Sequence, residues 1–408
     1  MVGRLIRAST VLLLGILLAG VPVVSADVVT DANAKAAEIA SRHPATPIAV
    51  RTMAIVQVSV FEAVNAITGR YPAFKAKMTP APGASLEAAV AAATRGALLK
   101  LMPDQRAAIE ADYQAALAAV PDGAAKTSGI AAGEQASSAT VAMCADDGAT
   151  ASDTYRPQVA PGVYAPTARP AVPHWGKRRP WLMTRGDQFR PGPPPSLTSE
   201  TWVRDYNEIK AVGGRNSTQR TPEQTAVAKF WEATQPSVYW PLARSVASGP
   251  GRDVTDNARL LAVTAMAMDD ALIAVFDAKY TYNFWRPVTA IRNGHDGQDA
   301  TTRDPGWTPF IDTPMHPEYP CAHCIVSSAL GAVLAAEIGA KPAPKLSSSS
   351  YTAPGAVRVW TSVDEFVEEV AAARIYDGVH YRNSTVVGRS MGKQIGELAV
   401  KSFPKPTK

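Results

Sequence analysis

The chain has 408 residues, with 41 lysines and arginines against 36 acidic residues and a formal net charge of +5. Residues 1–26 hold two arginines and no acid, so removing them takes the charge to +3. That near-neutral balance excludes a protein that binds nucleic acid through a strongly basic surface. Three cysteines exclude a disulfide framework, although Cys321 and Cys324 could pair in an exported protein.

The N-terminus has the pattern of a secretory signal peptide over residues 1–26. Arg4 and Arg7 precede the apolar run VLLLGILLAG, and the small residues VSA stand directly before Asp27. The run is short for a bilayer span, and we expect no later segment to be long enough. The sequence therefore predicts a secreted or periplasmic protein with no membrane span after signal removal.

Helical patterns dominate the rest of the chain. We divide it into an N-terminal helical region, 27–200, and a C-terminal helical region, 201–408, and find no convincing strands and no internal repeat. The predicted helices are 47–68, two within 85–120 that separate near Pro103, 124–146, 200–212, 221–235, 256–292, Pro320 to about Ile338, Ser362 (with a Glu365 capping box) through Arg374, and about 380–402. Residues 341–356 read as a Ser/Pro-rich linker.

Between 150 and 200 proline recurs and no periodicity survives. A structureless segment of this length inside a compact protein is usually functional or mobile. We expect a loop that wraps over the helices and packs down through Trp175, Trp181 and Phe189. The alternative is a lid over a site.

Two cations mark the first functional segment, KYTYNFWRP. Lys279 and Arg286 stand seven apart, so on one continuous helix they would lie almost one above the other, about 10 Å apart. Two permanent cations on one face of an apolar segment repel each other unless an anion lies between them. The spacing therefore predicts an oxyanion site.

A second cluster lies in HPEYPCAHC. We expect Pro320 to begin a helix, which leaves the N–H groups of Cys321, Ala322 and His323 without intrahelical partners. Together with the helix dipole these donors favour an anion, and the imidazole of His323 can exchange protons with a bound oxygen. The alternative is that His323 is an ordinary residue at a helix start.

Arg374 and His380 form the third cluster, six residues apart with Gly378 between them. The glycine predicts a break that lets both side chains turn inward. Arg374 could then bind an oxyanion through two parallel donors, and His380 could coordinate a metal or attack phosphorus. Taken alone, each residue also fits an ordinary polar group of the surface or core.

The three clusters occur in the order K-x6-R-P, P-x-x-H and R-x5-H within about 100 residues. This conjunction resembles the vanadium-dependent haloperoxidase and type 2 phosphatidic acid phosphatase superfamily, with a matching core from about 277 to 388. FWRPVTAIR and HPEYP look especially like its bacterial haloperoxidase-like branch. The resemblance implies an all-α fold of two packed four-helix-bundle-like halves, of the vanadium chloroperoxidase type. It also implies vanadate bound at the bundle end, with phosphate as a competing oxyanion.

The resemblance also assigns roles to residues. Lys279, Arg286 and Arg374 would bind the vanadate oxygens, and Ala322 would donate its backbone N–H. Cys321 stands where the family usually has a serine donor.

Three histidines take the remaining implied roles. His380 would be the axial ligand to vanadium, and His323 the acid–base residue. His316 matches a position near the halide site. The implied partners are hydrogen peroxide and a halide or small organic substrate, and a homo-oligomer is left open.

Two departures from the family pattern bear on activity. The usual PSGH is PCAH here, so a thiol, which is the weaker hydrogen-bond donor, replaces a hydroxyl at Cys321. Ser384 stands four residues after His380, where relatives often carry an acid. We therefore expect His380 to lack a carboxylate that orients it.

These residues are compatible with four functions. A vanadate-dependent peroxidase that oxidises halide is the leading hypothesis. An acid phosphatase would use the same cage, with His380 as nucleophile and His323 as proton donor. A non-catalytic oxyanion-binding homologue is the third. The fourth starts from C-A-H-C, a dithiol spacing at a helix N-terminus, although the βαβ context of such redox proteins is absent.

Overall fold

The computed structural model describes residues 27–294 and 296–407, so the predicted signal peptide lies outside the described residues. Within that part the fold is helical, with a single two-stranded sheet, which confirms the all-α prediction. The elements are α1 Val28–Ala40, α2 Thr46–Thr68, α3 Leu86–Leu101, α4 Arg106–Ala118, α5 Ala124–Met143, α6 Glu200–Val212, α7 Pro222–Trp231, α8 Pro236–Ala247, α9 Val254–Tyr282, α10 Pro287–Asn293, α11 Ala322–Ile338, β1 Leu346–Ser350, β2 Ala353–Trp360, α12 Val363–Tyr376 and α13 Arg382–Ser402.

The long helix α9 lies at the centre of the molecule. It begins at a capping box in which Asp253 and Asp256 bond each other's backbone N–H groups. On one side α9 packs against α2, and on the other against α11 and α13. One hydrophobic core cluster joins the two sides, since Met53, Met268 and Leu330 all belong to it. The N- and C-terminal regions therefore share their apolar core.

Helix α2 is 23 residues long, and the mean hydropathy of its most apolar window is 1.4, so length and composition would allow it to cross a membrane. The expectation that no segment after the N-terminus is long enough was wrong. Within the protein, 89% of that window is buried against other helices. Its position is that of a core helix, as predicted for 47–68.

The segment between 150 and 200 contains only a single 3-10 turn, at Trp175–Lys177, as regular helix. It is fastened to α9 by two neighbouring carboxylates. Asp269 pairs with Arg178 at 2.8 Å, and Asp270 accepts the backbone N–H groups of Trp181, Leu182 and Met183 at 2.7, 2.8 and 3.0 Å. The prediction of a loop wrapped over the helices is confirmed.

Several element boundaries differ from the sequence predictions. Helices α1 and α8 were missed, and α8 contains Pro241 in its interior, which reads as a breaker. The helix predicted over 256–292 ends at Tyr282, because Asn283 adopts a left-handed conformation with φ 50°. The linker predicted over 341–356 was also wrong, since most of it forms the β1–β2 hairpin.

Candidate active site

The predicted cations do not share a helical face. Lys279 lies in the last turn of α9, whereas Arg286 is the N-cap residue of α10, beyond the break at Asn283. The expectation of an i, i+7 pair on one continuous helix was therefore wrong. Both side chains are nonetheless buried, at 0% and 1% exposure, and they turn toward the same loop, 316–318.

Lys279 is held by backbone carbonyls. Its Nζ donates to the carbonyl oxygens of Pro317 and Glu318, both at 2.8 Å. An ammonium has three donors, so one remains for a ligand. Burial, and then the neighbouring charge of Arg286, holds the pKa of Lys279 well below its usual value. A bound anion would reverse that shift, because it favours the charged amine.

Arg286 links three parts of the site. Its Nε donates to the carbonyl of His316 at 2.9 Å, and its Nη1 donates to the carbonyl of Val379 at 2.7 Å. The same Nη1 lies 3.3 Å from Nε2 of His380. Burial lowers the pKa of Arg286 to about 10, so the guanidinium remains charged at neutral pH. Arg286 therefore holds the loop 316–318 and His380 next to its own positive charge.

Arg374 enters from the last turn of α12. Its Nη1 donates to the carbonyl of Trp231 at 2.9 Å and to the carboxylate of Asp377 at 2.5 Å. The side chain is 1% exposed, and its Nε has no hydrogen-bond partner among the described residues. The predicted break follows at Gly378, whose φ is 78° and where a Cβ would lie 2.2 Å from the carbonyl oxygen of Gly213. Arg374 thus offers unpaired donors at a buried position.

His380 has a carboxylate partner that the sequence reasoning missed. Its Nδ1 lies 2.8 Å from Oε1 of Glu318, and the same oxygen accepts the N–H of Tyr381 at 3.0 Å. The hydroxyl of Ser384 is also near Nδ1, at 3.4 Å. When Glu318 is ionised its carboxylate only accepts hydrogen bonds, so Nδ1 then carries the proton and Nε2 keeps its lone pair. The expectation that Ser384 leaves His380 without an orienting acid was wrong.

Glu318 is fully buried, and its second oxygen has no partner among the described side chains and backbone groups. Burial raises the pKa of Glu318 to about 7, against the opposing charges of Lys279 and Arg286. Burial and the charge of Arg286 also lower the pKa of His380 well below its usual range. The raised pKa of Glu318 and the lowered pKa of His380 both favour a neutral imidazole at His380, whose Nε2 faces the cations.

The N-terminus of α11 differs from the expectation in two ways. The helix begins at Ala322 rather than Pro320, with Cys321 as the N-cap residue. The N–H of Cys321 is used, since it donates to the carbonyl of Ser384 at 3.3 Å. Ala322 and His323 are the first two helical residues, whose N–H groups have no intrahelical acceptor. The donors offered to an anion are therefore these two.

Cys321 and Cys324 form a disulfide, and both are fully buried. The sulfur of Cys321 accepts the N–H of Cys324 at 3.1 Å and has no proton to donate. Cys321 therefore cannot replace the serine donor through an S–H group. Helix α13 packs closely here, because a Cβ at Gly388 would lie 2.7 Å from the carbonyl oxygen of Cys321. Two paired, enclosed sulfurs also do not support the dithiol redox hypothesis.

His323 and His316 face one cleft of about 290 Å³, which His380 and Ala322 also line. Nε2 of His323 is buried and has no partner in the described part of the chain. Burial, and then the charge of Arg374, holds the pKa of His323 well below its usual value, so the ring is neutral. His316 places Nδ1 3.0 Å from Nη2 of Arg286. Ala171, from the segment between 150 and 200, also lines the cleft.

An oxyanion fits this chemistry. Lys279, Arg286 and Arg374 are three buried basic residues, and among the described residues only Arg374 has a carboxylate partner, Asp377. Buried charge is stable only when it is paired, so an anion would stabilise the other two. Unpartnered polar atoms of Arg374 and His323 supply further contacts. In residues 27–294 and 296–407 no group of three or more His, Cys, Asp or Glu side chains is arranged to hold a metal cation. These residues could hold an oxyanion, with the imidazole of His380 beside it.

The C-terminal region is similar to a known protein family. The model of the VCPO second helical-bundle domain matches residues 259–407, which contain every predicted site residue. Vanadium chloroperoxidase of Curvularia inaequalis is 28% identical over 192 residues, which cover 39% of this chain and 31% of that protein. Residues 259–407, the C-terminal part of the chain, are therefore similar to the second helical-bundle domain of vanadium-dependent chloroperoxidases. The matched part spans about a third of the length of that relative.

Solved structures of superfamily members share the fold. A bacterial vanadium-dependent iodoperoxidase aligns with a TM-score of 0.78 at 23% identity, covering 93% of this chain and 97% of that chain. The holo form of a bacterial vanadium-dependent chloroperoxidase aligns with a TM-score of 0.70 at 17% identity, covering 89% and 94%. The helical haloperoxidase fold is therefore confirmed over nearly the whole described chain.

The one site residue that the superfamily motifs did not reveal is Glu318. It stands inside HPEYP, a segment that carried the resemblance, but no role was assigned to its acid. Glu318 and His380 are 62 residues apart in the chain. The sequence did contain a signal, because Glu318 is a lone acid between two prolines. Only the folded loop shows which histidine Glu318 contacts.

Proposed function

We propose that the protein is an exported, vanadate-dependent haloperoxidase-like enzyme that oxidises halide with hydrogen peroxide. The observation that carries this proposal is the set of three buried cations around His380, whose proton is fixed on Nδ1 by Glu318. The unpartnered Nε of Arg374 adds a buried donor, and a neutral His323 lines the same cleft as His380.

The cations would bind and neutralise the vanadate. Lys279 has one free donor, and Arg374 has its unpaired Nε. Arg286 adds charge and keeps His380 close through its Nη1. The backbone N–H of Ala322 would complete the contacts at the start of α11. Charge-assisted bonds of this kind are about twice as strong as neutral ones.

His380 would hold the vanadate through Nε2. Its Nε2 lone pair is free because Glu318 accepts from Nδ1, and such a carboxylate makes the imidazole a more basic donor. When bound, vanadate would supply a Lewis-acidic centre that activates peroxide toward a halide without changing its own oxidation state.

His323 would move the proton. Its low pKa keeps the ring neutral at neutral pH, so its unprotonated nitrogen can accept a proton from hydrogen peroxide and return it to a leaving oxygen. His316 lies in the same cleft, and we assign it to the halide side.

Halogenation of a phenolic dye tests the proposal. The purified protein is loaded with vanadate and given hydrogen peroxide with bromide or iodide, and turnover should require vanadate. The His323→Ala variant should lose the activity and still bind vanadate. No turnover at any vanadate loading, in protein shown to be folded, would contradict the proposal.

Glu318 also favours a second candidate, an acid phosphatase of the same superfamily. A carboxylate on Nδ1 is the arrangement that would activate Nε2 of His380 to attack phosphorus. Acid quenching during turnover of a phosphomonoester should then trap phosphohistidine, and the His380→Ala variant should not. Anion binding with neither activity would identify a non-catalytic oxyanion-binding homologue.

Export is part of the proposal. The leader-like pattern over 1–26 supports it, and so does the Cys321–Cys324 disulfide, because such bonds persist in oxidising compartments. Fractionation of the native cells should find the mature chain, beginning at Asp27, outside the cytoplasm. Full-length chain in the cytoplasm would contradict this assignment.

A further inference from the structure

Met315 places an oxidisable sulfur in the wall of the cleft, next to His316. It is the only sulfur-bearing residue among the described residues that line the cleft. Its side chain is half-buried, and it shares the cleft with Ala171, His323 and His380. An oxidant formed beside those histidines is therefore formed in the same cleft as this sulfur.

The chemistry of this sulfur suits it to react with the product of the proposed function. A thioether is soft and polarisable, and its conversion to the sulfoxide is a common oxidative lesion of methionine. Hypohalous acid carries an electrophilic halogen that such a sulfur attacks. Tyr239, the only phenol of the described cleft wall, is 3% exposed and offers that oxidant much less access.

The side chain and backbone of Met315 also contact the segment between 150 and 200. Thr167 donates its hydroxyl to Sδ of Met315 at 3.7 Å, and the N–H of Ala171 donates to the carbonyl of Met315 at 2.6 Å. Tyr280 of α9 donates its hydroxyl to the carbonyl of Ala171 at 2.8 Å. Residues 167–171, which we call the strap, therefore lie against the loop before His316 and place Ala171 in the cleft wall.

We propose that Met315 is a self-oxidation site, which is converted to the sulfoxide by hypohalous acid formed in the cleft, and that this sulfoxide slows turnover. This inference rests on the proposed function. The sulfur attacks the halogen of hypohalous acid, the halogen–oxygen bond breaks, and hydroxide leaves. Water then adds to the sulfur, the halide departs, and two protons are lost, one of which neutralises the hydroxide. The sulfur is oxidised by two electrons, and the halogen is reduced to halide.

The sulfoxide changes the contact between Met315 and the strap. A thioether sulfur is a weak acceptor, whereas a sulfoxide presents a polar oxygen to the hydroxyl of Thr167. One stronger hydrogen bond holds the strap more firmly at the cleft, so turnover of the oxidised protein should fall about two- to tenfold. A methionine sulfoxide reductase should restore the rate, because this oxidation is reversible.

Mass spectrometry of the protein after turnover tests the site. Full-length mature protein loaded with vanadate is given limiting hydrogen peroxide and the halide that supports dye halogenation, with no dye present. Met78 and Met143 are also half-buried and lie outside the cleft, so they serve as internal controls. The oxidised fraction of Met315 should be about tenfold that of either control, because the oxidant is formed beside it.

Two control reactions separate oxidation inside the cleft from general reactivity. Hydrogen peroxide without halide, and reagent hypohalous acid added to vanadate-free protein, should show no preference for Met315. The His323→Ala variant, which should bind vanadate without turnover, should also show none. The same preference in any of these three reactions would overturn the inference, because it would not depend on an oxidant formed at the site.

Repeated additions of peroxide test the effect on turnover, with each protein compared with its own initial rate. The unsubstituted protein should lose rate as the sulfoxide accumulates, whereas Met315→Leu, which has a similar volume and no sulfur, should keep its rate. Met78→Leu is the matched control and should lose rate as the unsubstituted protein does. If Met315→Leu does not fold, Thr167→Val at the exposed end of the contact serves instead, and it should be oxidised at Met315 but lose less rate. An undiminished loss of rate in the folded variant would overturn the effect on turnover.

A parallel reaction with the phenolic dye distinguishes this inference from the proposed function. Dye halogenation without preferential oxidation of Met315 would overturn the inference and leave the proposed function standing. No dye halogenation would overturn the proposed function, and this inference with it.

Discussion

Two regions border the cleft, and in each of them a side chain of the superfamily pattern is replaced. In the first, Ser384 replaces an acid beside His380, and Glu318 from a distant loop takes its place at 2.8 Å. In the second, Cys321 replaces a serine at the start of α11, and its sulfur is committed to a disulfide and to the N–H of Cys324. The first loss is compensated by another side chain. The second leaves only the backbone N–H groups of Ala322 and His323 as local donors.

Around His380 the function depends on side chains, whereas at the start of α11 it depends on the helix terminus. Around His380 the partner must be a carboxylate, which any loop of suitable reach can supply. At α11 the dipole and the first-turn N–H groups persist whatever the N-cap residue is. The disulfide at the start of α11 fixes the turn and removes one hydrogen-bond donor. We therefore expect it to weaken anion binding less than the loss of a cation or of Glu318 would.

The largest effect should follow removal of a cation. In Arg374→Met the buried charge and its unpaired donors are lost, so vanadate affinity should fall about 100-fold, within the range of about 2–5 kcal/mol for a buried charged contact. Equilibrium dialysis measures it. The control is Arg389→Met, a partly exposed arginine that pairs with Glu368 on the surface, which should leave affinity unchanged. Equal affinity in Arg374→Met would remove this residue from the cage.

The next largest effect tests the compensated region. Glu318→Gln keeps the size of the side chain and removes the carboxylate charge that faces Nδ1 of His380, so vanadate affinity should fall by about 10–100-fold. Adding Ser384→Asp should restore part of it, since the hydroxyl at 384 already lies 3.4 Å from the same nitrogen. If the double variant recovers nothing, the carboxylate does not act through His380. Thermal melting of each variant separates this effect from unfolding.

A smaller effect is expected at the uncompensated region. Cys321→Ser with Cys324→Ala restores a hydroxyl donor at the N-cap, so vanadate affinity should rise up to about tenfold, or about 1.4 kcal/mol. Loss of the disulfide should lower the free energy of unfolding by about 2 kcal/mol, because the closed loop is short. Reduction of the unsubstituted protein is the matched control, as it opens the disulfide without adding the hydroxyl. A fall in affinity would show that the disulfide, and not the donor, matters there.

The smallest expected effect is the uptake of protons when an anion binds to the site. Burial holds the pKa of Lys279 and of His323 below their usual values, and a bound dianion favours their charged forms and raises both pKa values. Anion binding should therefore take up protons and weaken as pH rises, by less than about tenfold per pH unit for each proton. Sulfate is the suitable probe, since it does not itself titrate near neutral pH. Calorimetry in buffers of different ionisation enthalpy should show uptake, and proton release would contradict the assignment.

Local pattern predicted the helical fold well, and failed where long-range contacts decide. Apolar residues on nearly all faces located α2, and charges at helical spacing in an Ala-rich stretch located α3. Pro320 marked the start of α11 to within two residues, and Gly378 marked the inward turn after Arg374. The β1–β2 hairpin was missed because serine and proline gave no alternation of apolar residues.

The sequence predicted the candidate cations and histidines, because their types and spacing are distinctive, and their roles stay a prediction. The partner of His380 could not be predicted, because Glu318 reaches it only through the fold of a loop 62 residues away in sequence. The helical face assumed for Lys279 and Arg286 was wrong for a local reason, the left-handed turn at Asn283. The two cations still converge, because the loop 316–318 offers carbonyl oxygens to both.

The most direct test of the oxyanion cage is a vanadate titration of the mature protein, followed by equilibrium dialysis with elemental analysis. The cluster of Lys279, Arg286, Arg374 and His380 predicts one vanadate per chain, displaced by phosphate and lost in His380→Ala. Folded protein that binds no vanadate and no phosphate, or that binds them equally well without His380, would contradict the account.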